Sequence, residues 1–82
     1  FDLDFDENGN LYCGGSGQSL YRVTTDLSSS IAADYTNISI RAIRVFNGFV
    51  YVGGNYSGTD NTVPTVGVWR NQILSSDGAL GE

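Results

Sequence analysis

The sequence contains no lysine, no histidine and no methionine, and it has only one cysteine, one proline and one tryptophan. Its four basic residues are all arginines and stand against nine acidic residues, which gives a formal net charge of −5. Proteins that bind nucleic acid or an anionic membrane surface neutralise phosphates with clustered cations. The composition therefore argues against nucleic acid and anionic membranes as partners.

Groups that carry catalysis are also scarce. Histidine is absent, no serine stands beside another suitable base, and the single thiol of Cys13 has no partner. We therefore expect a protein that is not an enzyme and that needs no cofactor. One cysteine also excludes an internal disulfide, and the residues around Cys13 predict a small core residue.

The chain is short and has no long apolar run. Its 82 residues suffice for one small domain, and no segment approaches the roughly 18 apolar residues of a membrane span. The first residue is Phe1 rather than Met, with no charged segment before an apolar one. We therefore expect a chain that is processed, excised from a longer protein or part of one.

The sequence contains two copies of one short pattern. Residues 8–15 (NGNLYCGG) align with residues 47–54 (NGFVYVGG) at an offset of 39 residues, with the Asn-Gly pair, the tyrosine and a Gly-Gly pair in register. Asn-Gly is the strongest short signal for a β-hairpin, because a type I′ turn needs a positive φ at both central residues. We predict a hairpin with this turn at each copy, and equivalent environments for Tyr12 and Tyr51.

Periodicity around the two turns predicts strands. The apolar residues 1, 3 and 5 alternate with three aspartates, which is the pattern of a half-buried strand with a solvated acidic side. Before the second turn, residues 38, 40 and 42 share one side and residues 43 and 45 the other, which predicts burial on both sides. Third strands follow at residues 19–23 and 65–70, where the aromatic-arginine pairs 21–22 and 69–70 hold matching places.

Several segments resemble a known class of repeat. Residues 49–58 (FVYVGGNYSG), 66–70 (VGVWR) and 76–80 (SDGAL) resemble the delta-60 class of bacterial β-propeller repeat. Residues 6–12 (DENGNLY) are similar to the blade hairpins of NHL and related secreted propellers. The resemblance covers most of the chain and implies blade-like units of an extracellular or cell-surface protein. It marks an architecture and not an activity.

These patterns predict an all-β domain made of two blade-like antiparallel units, residues 1–39 and 40–82. Propellers contain about four to eight blades, so two units make either a propeller fragment or a small β-sandwich. Open edge strands pair readily with further chains through their backbone groups. We therefore expect association with further copies, or with other blades of a parent chain, through the terminal strands at residues 1–5 and 73–80.

One segment resembles half of a calcium-binding loop. Asp4, Asp6 and Asn8 stand at its ligand positions 1, 3 and 5, and Gly9 follows where such loops turn sharply. Gly15 occupies the place of the bidentate acid that completes the site. An acidic strand that runs into a hairpin accounts for the same residues and is the favoured interpretation.

Two pairs of residues are candidates for contact with glycans. Asn37 and Asn55 begin Asn-x-Ser triplets, the acceptor sequence for N-glycosylation, and Asn55 falls in a predicted Gly-rich loop. Tyr56 and Trp69 could stack on sugar rings, although aromatic residues in β-repeats more often pack in a core or an interface.

The function that these features favour is that of a non-enzymatic extracellular structural or adhesive module that self-associates into an oligomer or fibre. The acidic, lysine-free composition and the unclosed edges of the two units support it. The alternatives are a carbohydrate-binding module that uses Tyr56 and Trp69, and a fragment of a larger propeller enzyme whose active site lies in other blades.

Overall fold

The computed structural model describes residues 1–15 and 17–81. Its strands are β1 (Asp2–Phe5), β2 (Leu11–Gly14), β3 (Ser19–Val23), β4 (Ser29–Asp34), β5 (Ile38–Phe46), β6 (Phe49–Tyr56) and β7 (Val66–Gln72). They form two antiparallel sheets, a first sheet with the order β1-β2-β3-β4 and a second with the order β5-β6-β7. The prediction of an all-β chain is confirmed, and the second sheet begins slightly before the predicted boundary at residue 40. Within the described residues, no helix is long and apolar enough to cross a membrane.

The two Asn-Gly turns have different geometries. Asn47 and Gly48 have φ values of 52° and 82° and form the two-residue type I′ turn that the sequence predicts. In the first hairpin Gly9 has a φ of 84° and donates its N–H to the carbonyl oxygen of Asp6, but Asn8 does not have a positive φ. The first turn is therefore a longer loop with glycine at its left-handed position, and the type I′ prediction is wrong there.

The pairing between strands follows the alignment of the two units. Tyr12 pairs with Arg22 in the first sheet, and Tyr51 pairs with Arg70 in the second. Equivalent residues therefore hold equivalent places within their own sheets. Their environments differ, because Tyr12 is 0% exposed between the sheets whereas Tyr51 is half-buried on the far side of the second sheet. The expectation of equivalent environments is wrong.

A β-bulge in β5 replaces the predicted burial on both sides with one buried side. Arg41 is an extra residue between the pairs that Ile40 and Ala42 make with β6. Because side chains alternate along a strand, the extra residue moves every later side chain of β5 to the opposite face of the sheet. Ile43 thereby joins Ile40 on the buried side, and Ala42 is exposed.

The sheets pack face to face around one apolar core. The sides that meet are the inner faces, and the opposite sides are the outer faces. The core comprises the fully buried residues Tyr12, Leu20, Ile40, Ile43, Val50 and Val52. Burying one such aliphatic side chain contributes about 1.5–3 kcal/mol relative to leaving it exposed.

Two aspartates of β1 join the edges of the two sheets. Through Oδ1, each accepts the N–H of the residue that follows it in β1, at 2.9 Å. Through Oδ2, Asp2 accepts the N–H of Ile43 at 2.9 Å, and Asp4 accepts the N–H of Val45 at 2.7 Å. Each carboxylate thus bridges an edge amide of β1 and an edge amide of β5, and these four bonds form the carboxylate seam.

Three expectations about the first sheet are wrong, concerning the solvated side of β1, its open edge and the burial of Cys13. The aspartates face the second sheet, whereas Leu3 and Phe5 lie on the outer face with 43% and 55% exposure, so the acidic side is not the solvated one. The strand at residues 1–5 does not offer an open edge either, because its outward amides are bonded and β5 lies beside it. Cys13 is half-buried on the same outer face and is not a core residue.

Replacing Asp4 with alanine should destabilise the protein, because the partly buried N–H of Val45 loses its acceptor. We expect the free energy of unfolding to fall by about 1–3 kcal/mol in urea denaturation. The matched control is Asp34→Ala, which removes the same charge from an exposed position at the end of β4. That change should alter the free energy of unfolding by less than about 0.5 kcal/mol. Equal losses in the two variants would contradict the role of the seam.

The seam also predicts sensitivity to acid. Hydrogen bonds from the amides of Ile43 and Leu3 lower the pKa of Asp2 below its ordinary value of 3.8. The unfolded chain therefore takes up this proton at a higher pH than the folded protein, so the stabilisation by Asp2 is present above pH 3.8 and is lost as the pH falls through the folded pKa. The stability difference between the protein and its Asp2→Asn variant should shrink below that pH in urea titrations. A difference that stays constant down to about pH 2 would contradict this prediction.

Candidate functional site

A cluster of buried polar groups lies below the first turn. Asp6 and Asn10 flank the turn, and Tyr12 follows in β2. The Oδ1 atom of Asp6 accepts the N–H groups of Asn8 and Asn10, both at 2.9 Å, and its Oδ2 atom accepts the side-chain amide of Asn10 at 2.8 Å. The hydroxyl of Tyr12 lies 3.4 Å from the same Oδ2. Donors therefore surround the Asp6 carboxylate.

The same cluster holds the turn at residues 75–78. The side-chain amide of Asn10 donates to the carbonyl oxygen of Ser76 at 2.9 Å, and the hydroxyl of Tyr12 donates to the carbonyl oxygen of Gly78 at 2.8 Å. Gly78 has a φ of 82° and lies so close to the Tyr12 hydroxyl that a Cβ would collide with it. These contacts form the polar clasp, which ties the segment that follows the second sheet to the first turn.

The electrostatics of the polar clasp favour a structural role. Burial, and after it the charge of Asp6, raise the pKa of the Tyr12 hydroxyl well above its ordinary value of 10.0. The hydroxyl therefore stays protonated and continues to donate at neutral and alkaline pH. Tyr35, whose pKa burial raises to about 12, likewise bonds through its hydroxyl to the side chain of Asn71. Both phenols therefore act here as hydrogen-bond donors to neighbouring segments.

The three calcium candidates are engaged in different structural contacts. Asp4 belongs to the carboxylate seam, Asp6 belongs to the polar clasp, and Asn8 is exposed in the first turn. Calcium takes six to eight oxygen ligands, and the oxygens of the two aspartates already accept N–H groups. Within residues 1–15 and 17–81, no group of three His, Cys, Asp or Glu side chains is placed to hold a metal ion.

An open cleft of about 610 Å³ separates the two Asn-Gly turns. Residues 5–8, 45–48 and 73–75 line it. The buried charge among its described lining residues is Asp6, whose oxygens are bonded within the polar clasp. Its other polar side chains are exposed in the turns, so the cleft lacks the fixed set of convergent polar groups that typifies a small-molecule site.

The two candidates for sugar stacking lie on the same side of the second sheet, but each ring packs locally. The ring of Tyr56 covers Gly58, and its hydroxyl accepts the N–H of Asp60 at 3.1 Å. The indole of Trp69 lies over Gly67. Both side chains are half-buried. The ring of Tyr56 therefore stabilises the loop that connects β6 and β7, and the indole of Trp69 covers its own strand β7.

The two glycosylation candidates are neighbours across β5 and β6. Ser39 pairs with Asn55, and Ser57 donates to the carbonyl oxygen of Asn37 through its N–H at 2.8 Å and its hydroxyl at 3.2 Å. Both asparagines are exposed. Asn55 lies within strand β6, not in the predicted loop, and Asn37 precedes β5 with a φ of 64°.

Both outer faces are rich in apolar side chains. On the first sheet the pairing places together Phe1, Leu3, Phe5, Leu11, Cys13, Tyr21, Val23 and Ile31. On the second sheet it places together the apolar residues Ala42, Phe46, Phe49, Tyr51, Val66 and Val68 with the polar residues Ser39, Arg44, Asn55, Arg70 and Gln72. Single exposed apolar residues are ordinary, but contiguous apolar patches mark interaction sites. The two outer faces are therefore candidate interaction surfaces.

Contacts within the outer face of the second sheet order its side chains. The guanidinium carbon of Arg70 lies 4.6 Å from the centre of the Phe49 ring, and the ring centres of Phe49 and Tyr51 are 6.2 Å apart. The sequence motifs do not single out these residues as a site. A sequence pattern that could have indicated this outer face is a strand with apolar residues on both of its sides. In β7, the neighbouring residues Val68 and Trp69 show this pattern.

Comparisons of the chain with protein-family models, with curated proteins and with solved structures found no match. The function proposed below is therefore inferred from the geometry of this chain. The resemblance to β-propeller repeats stays an expectation.

Replacing Tyr12 with phenylalanine should loosen the polar clasp, because the carbonyl oxygen of Gly78 loses its donor. We expect the free energy of unfolding to fall by about 1–3 kcal/mol. The amide of Leu74, which donates to Ala79 across the same turn, should exchange faster with solvent. The matched control is Tyr51→Phe, the same change at the equivalent outer position, and it should leave both quantities unchanged. Full protection of Leu74 in the Tyr12→Phe protein would show that the hydroxyl does not hold the turn.

Proposed function

We propose that this chain is a non-enzymatic structural or adhesive β-repeat module of an extracellular or cell-surface protein, and that it works by associating with further copies of itself. The observation that carries the proposal is the presence of an exposed apolar outer face on each sheet. On the first, Tyr21 and Ile31 are 46% and 60% exposed, and on the second Val66 and Val68 are 70% and 71% exposed. Such faces gain free energy when another surface covers them.

The balance between core and surface supports association. Among the described residues, six side chains form the fully buried core, whereas ten large hydrophobic side chains are exposed. A domain of this size buries only about 60% of the surface of its unfolded chain, which leaves its stability marginal. Covering the outer faces therefore adds apolar burial that the single chain does not achieve.

The candidate ligand sites support a structural module over a carbohydrate-binding module. A platform for sugars needs an open ring face, and the ring of Tyr56 packs on Gly58 of the loop after β6 while the indole of Trp69 packs on Gly67 of its own strand. Exposure of Asn37 is compatible with glycan attachment in an extracellular protein, whereas Asn55 pairs with Val66 on the outer face that the proposed association covers.

Light scattering should show a mass that rises with protein concentration across the micromolar range. Because the outer faces are mainly apolar, the association should persist at about 1 M salt, where charges are screened beyond about 3 Å. A cooperative, folded monomer at every concentration would overturn the proposal. Complete dissociation in salt would also contradict it, because contacts between charges would then carry the association.

A further inference from the structure

The repeat places equivalent residues on opposite sides relative to the core. Tyr12 lies on the inner face of the first sheet, and its equivalent Tyr51 lies on the outer face of the second. The adjacent residues are arranged in the reverse way, since Leu11 is on an outer face and its equivalent Val50 is on an inner face. The two sheets therefore stack in the same orientation. The tyrosine-bearing face of the first sheet meets the opposite face of the second sheet, and the two equivalent faces do not meet each other.

Each unit accordingly has two distinct sides. The tyrosine side carries Tyr12 or Tyr51, and the aliphatic side carries Leu11 or Val50. Within the chain, the tyrosine side of the first unit packs on the aliphatic side of the second. The aliphatic side of the first unit and the tyrosine side of the second remain exposed as the outer faces. Each exposed surface is thus the counterpart of a surface that is already buried.

We infer that the outer face of the first sheet of one copy docks on the outer face of the second sheet of another copy, repeating the contact that joins the two sheets within the chain. This inference rests on the proposed self-association and names the two surfaces that carry it. It differs from strand addition at the sheet edges, because faces and not backbone groups meet.

The chemistry of the two aliphatic sides matches position by position. The cross-strand register aligns four outer positions of the first sheet with four inner positions of the second, Leu3 with Ile43, Phe5 with Val45, Leu11 with Val50 and Cys13 with Val52. All of these residues are apolar, and those of the second sheet already pack in the core. On the tyrosine sides, the exposed Val68 corresponds to the fully buried Leu20.

The edge amides do not oppose this docking. Within the chain, Asp2 and Asp4 provide acceptors to the edge amides of β5. On the tyrosine side of the second unit, the equivalent positions hold Ala42 and Arg44, which provide none. The amides of residues 3 and 5, which would need such acceptors, already bond to the aspartates that precede them. The outer faces can therefore meet without leaving those amides unpaired.

Docking of this kind joins two different surfaces and is heterologous. A heterologous contact generates a ring if the rotation between copies closes, and an open filament if it does not. If one of the two surfaces of a copy is blocked, no further copy can bind there. The other surface of that copy can still bind a partner. This property separates the inference from an isologous contact, in which one surface pairs with itself.

Two substitutions test the assignment. Tyr21→Lys places a charge on the outer face of the first sheet, and Val68→Lys places one on that of the second, at side chains exposed enough to be replaced without disturbing the core. We expect each variant alone to be monomeric by light scattering where the unmodified chain associates. An equimolar mixture should form a complex of two chains, because each variant retains the surface that the other lacks. Both changes add a positive charge, so attraction between opposite charges does not explain pairing.

The controls distinguish folding from docking. Thr59→Lys, at an exposed loop position, should associate like the unmodified chain. Circular dichroism and thermal melting check that each variant folds, and Phe5→Lys replaces Tyr21→Lys on the same face if Tyr21→Lys does not fold. A variant that still associates alone, or a pair of monomers that do not combine when mixed, would overturn the assignment of the faces. An unmodified chain that stays monomeric would instead refute the self-association on which the assignment rests.

Discussion

The edge amides of β1 and β5 impose the constraint on which the rest of the structure depends. Leaving a buried amide without an acceptor lowers the free energy of unfolding by about 1–3 kcal/mol. Here two strand edges approach each other, and the N–H groups of both edges point into the junction. Asp2 and Asp4 satisfy amides of both strands, because each carboxylate has one oxygen for each sheet. The aspartates must point inward to do so. Since side chains alternate along a strand, Leu3 must then point outward, and the apolar outer face of the first sheet follows from the seam.

The polar clasp connects the two sheets at a second place, again through polar side chains that bond to backbone groups. Asp6 and Asn10 use their side chains to satisfy the backbone of the first turn, and the groups that remain reach the carbonyl oxygens of Ser76 and Gly78. The acidic residues that most resemble metal ligands in the sequence are therefore acceptors for N–H groups. The carboxylate oxygens accept hydrogen bonds that hold the two sheets together. This explains why an acidic segment with calcium-like spacing provides no open set of ligands.

The sequence predicts the strands well because alternation and turn chemistry are local. It predicts the hairpins around Asn8 and Asn47, and the matching places of Arg22 and Arg70. It does not predict which side of β1 is buried, because the usual rule that apolar residues face inward ignores the acceptors that a strand junction needs. The bulge at Arg41 is missed for a related reason. One extra residue leaves the composition of a strand unchanged but exchanges its sides, and only the partner strand reveals it.

Apolar residues on both sides of one strand have a simple physical explanation when sheets stack in series. A self-contained sandwich keeps polar residues on its outer faces, because only the inner faces are covered. In β6, however, Val50 and Val52 point inward while Phe49 and Tyr51 point outward, so the strand carries large apolar side chains on both sides. Rearranging the two sheets of one chain cannot satisfy both faces, because the internal contact already joins a tyrosine side to an aliphatic side. In the association that we propose, a further unit in the same orientation covers both outer faces. It presents an aliphatic side to the exposed tyrosine side, and a tyrosine side to the exposed aliphatic side.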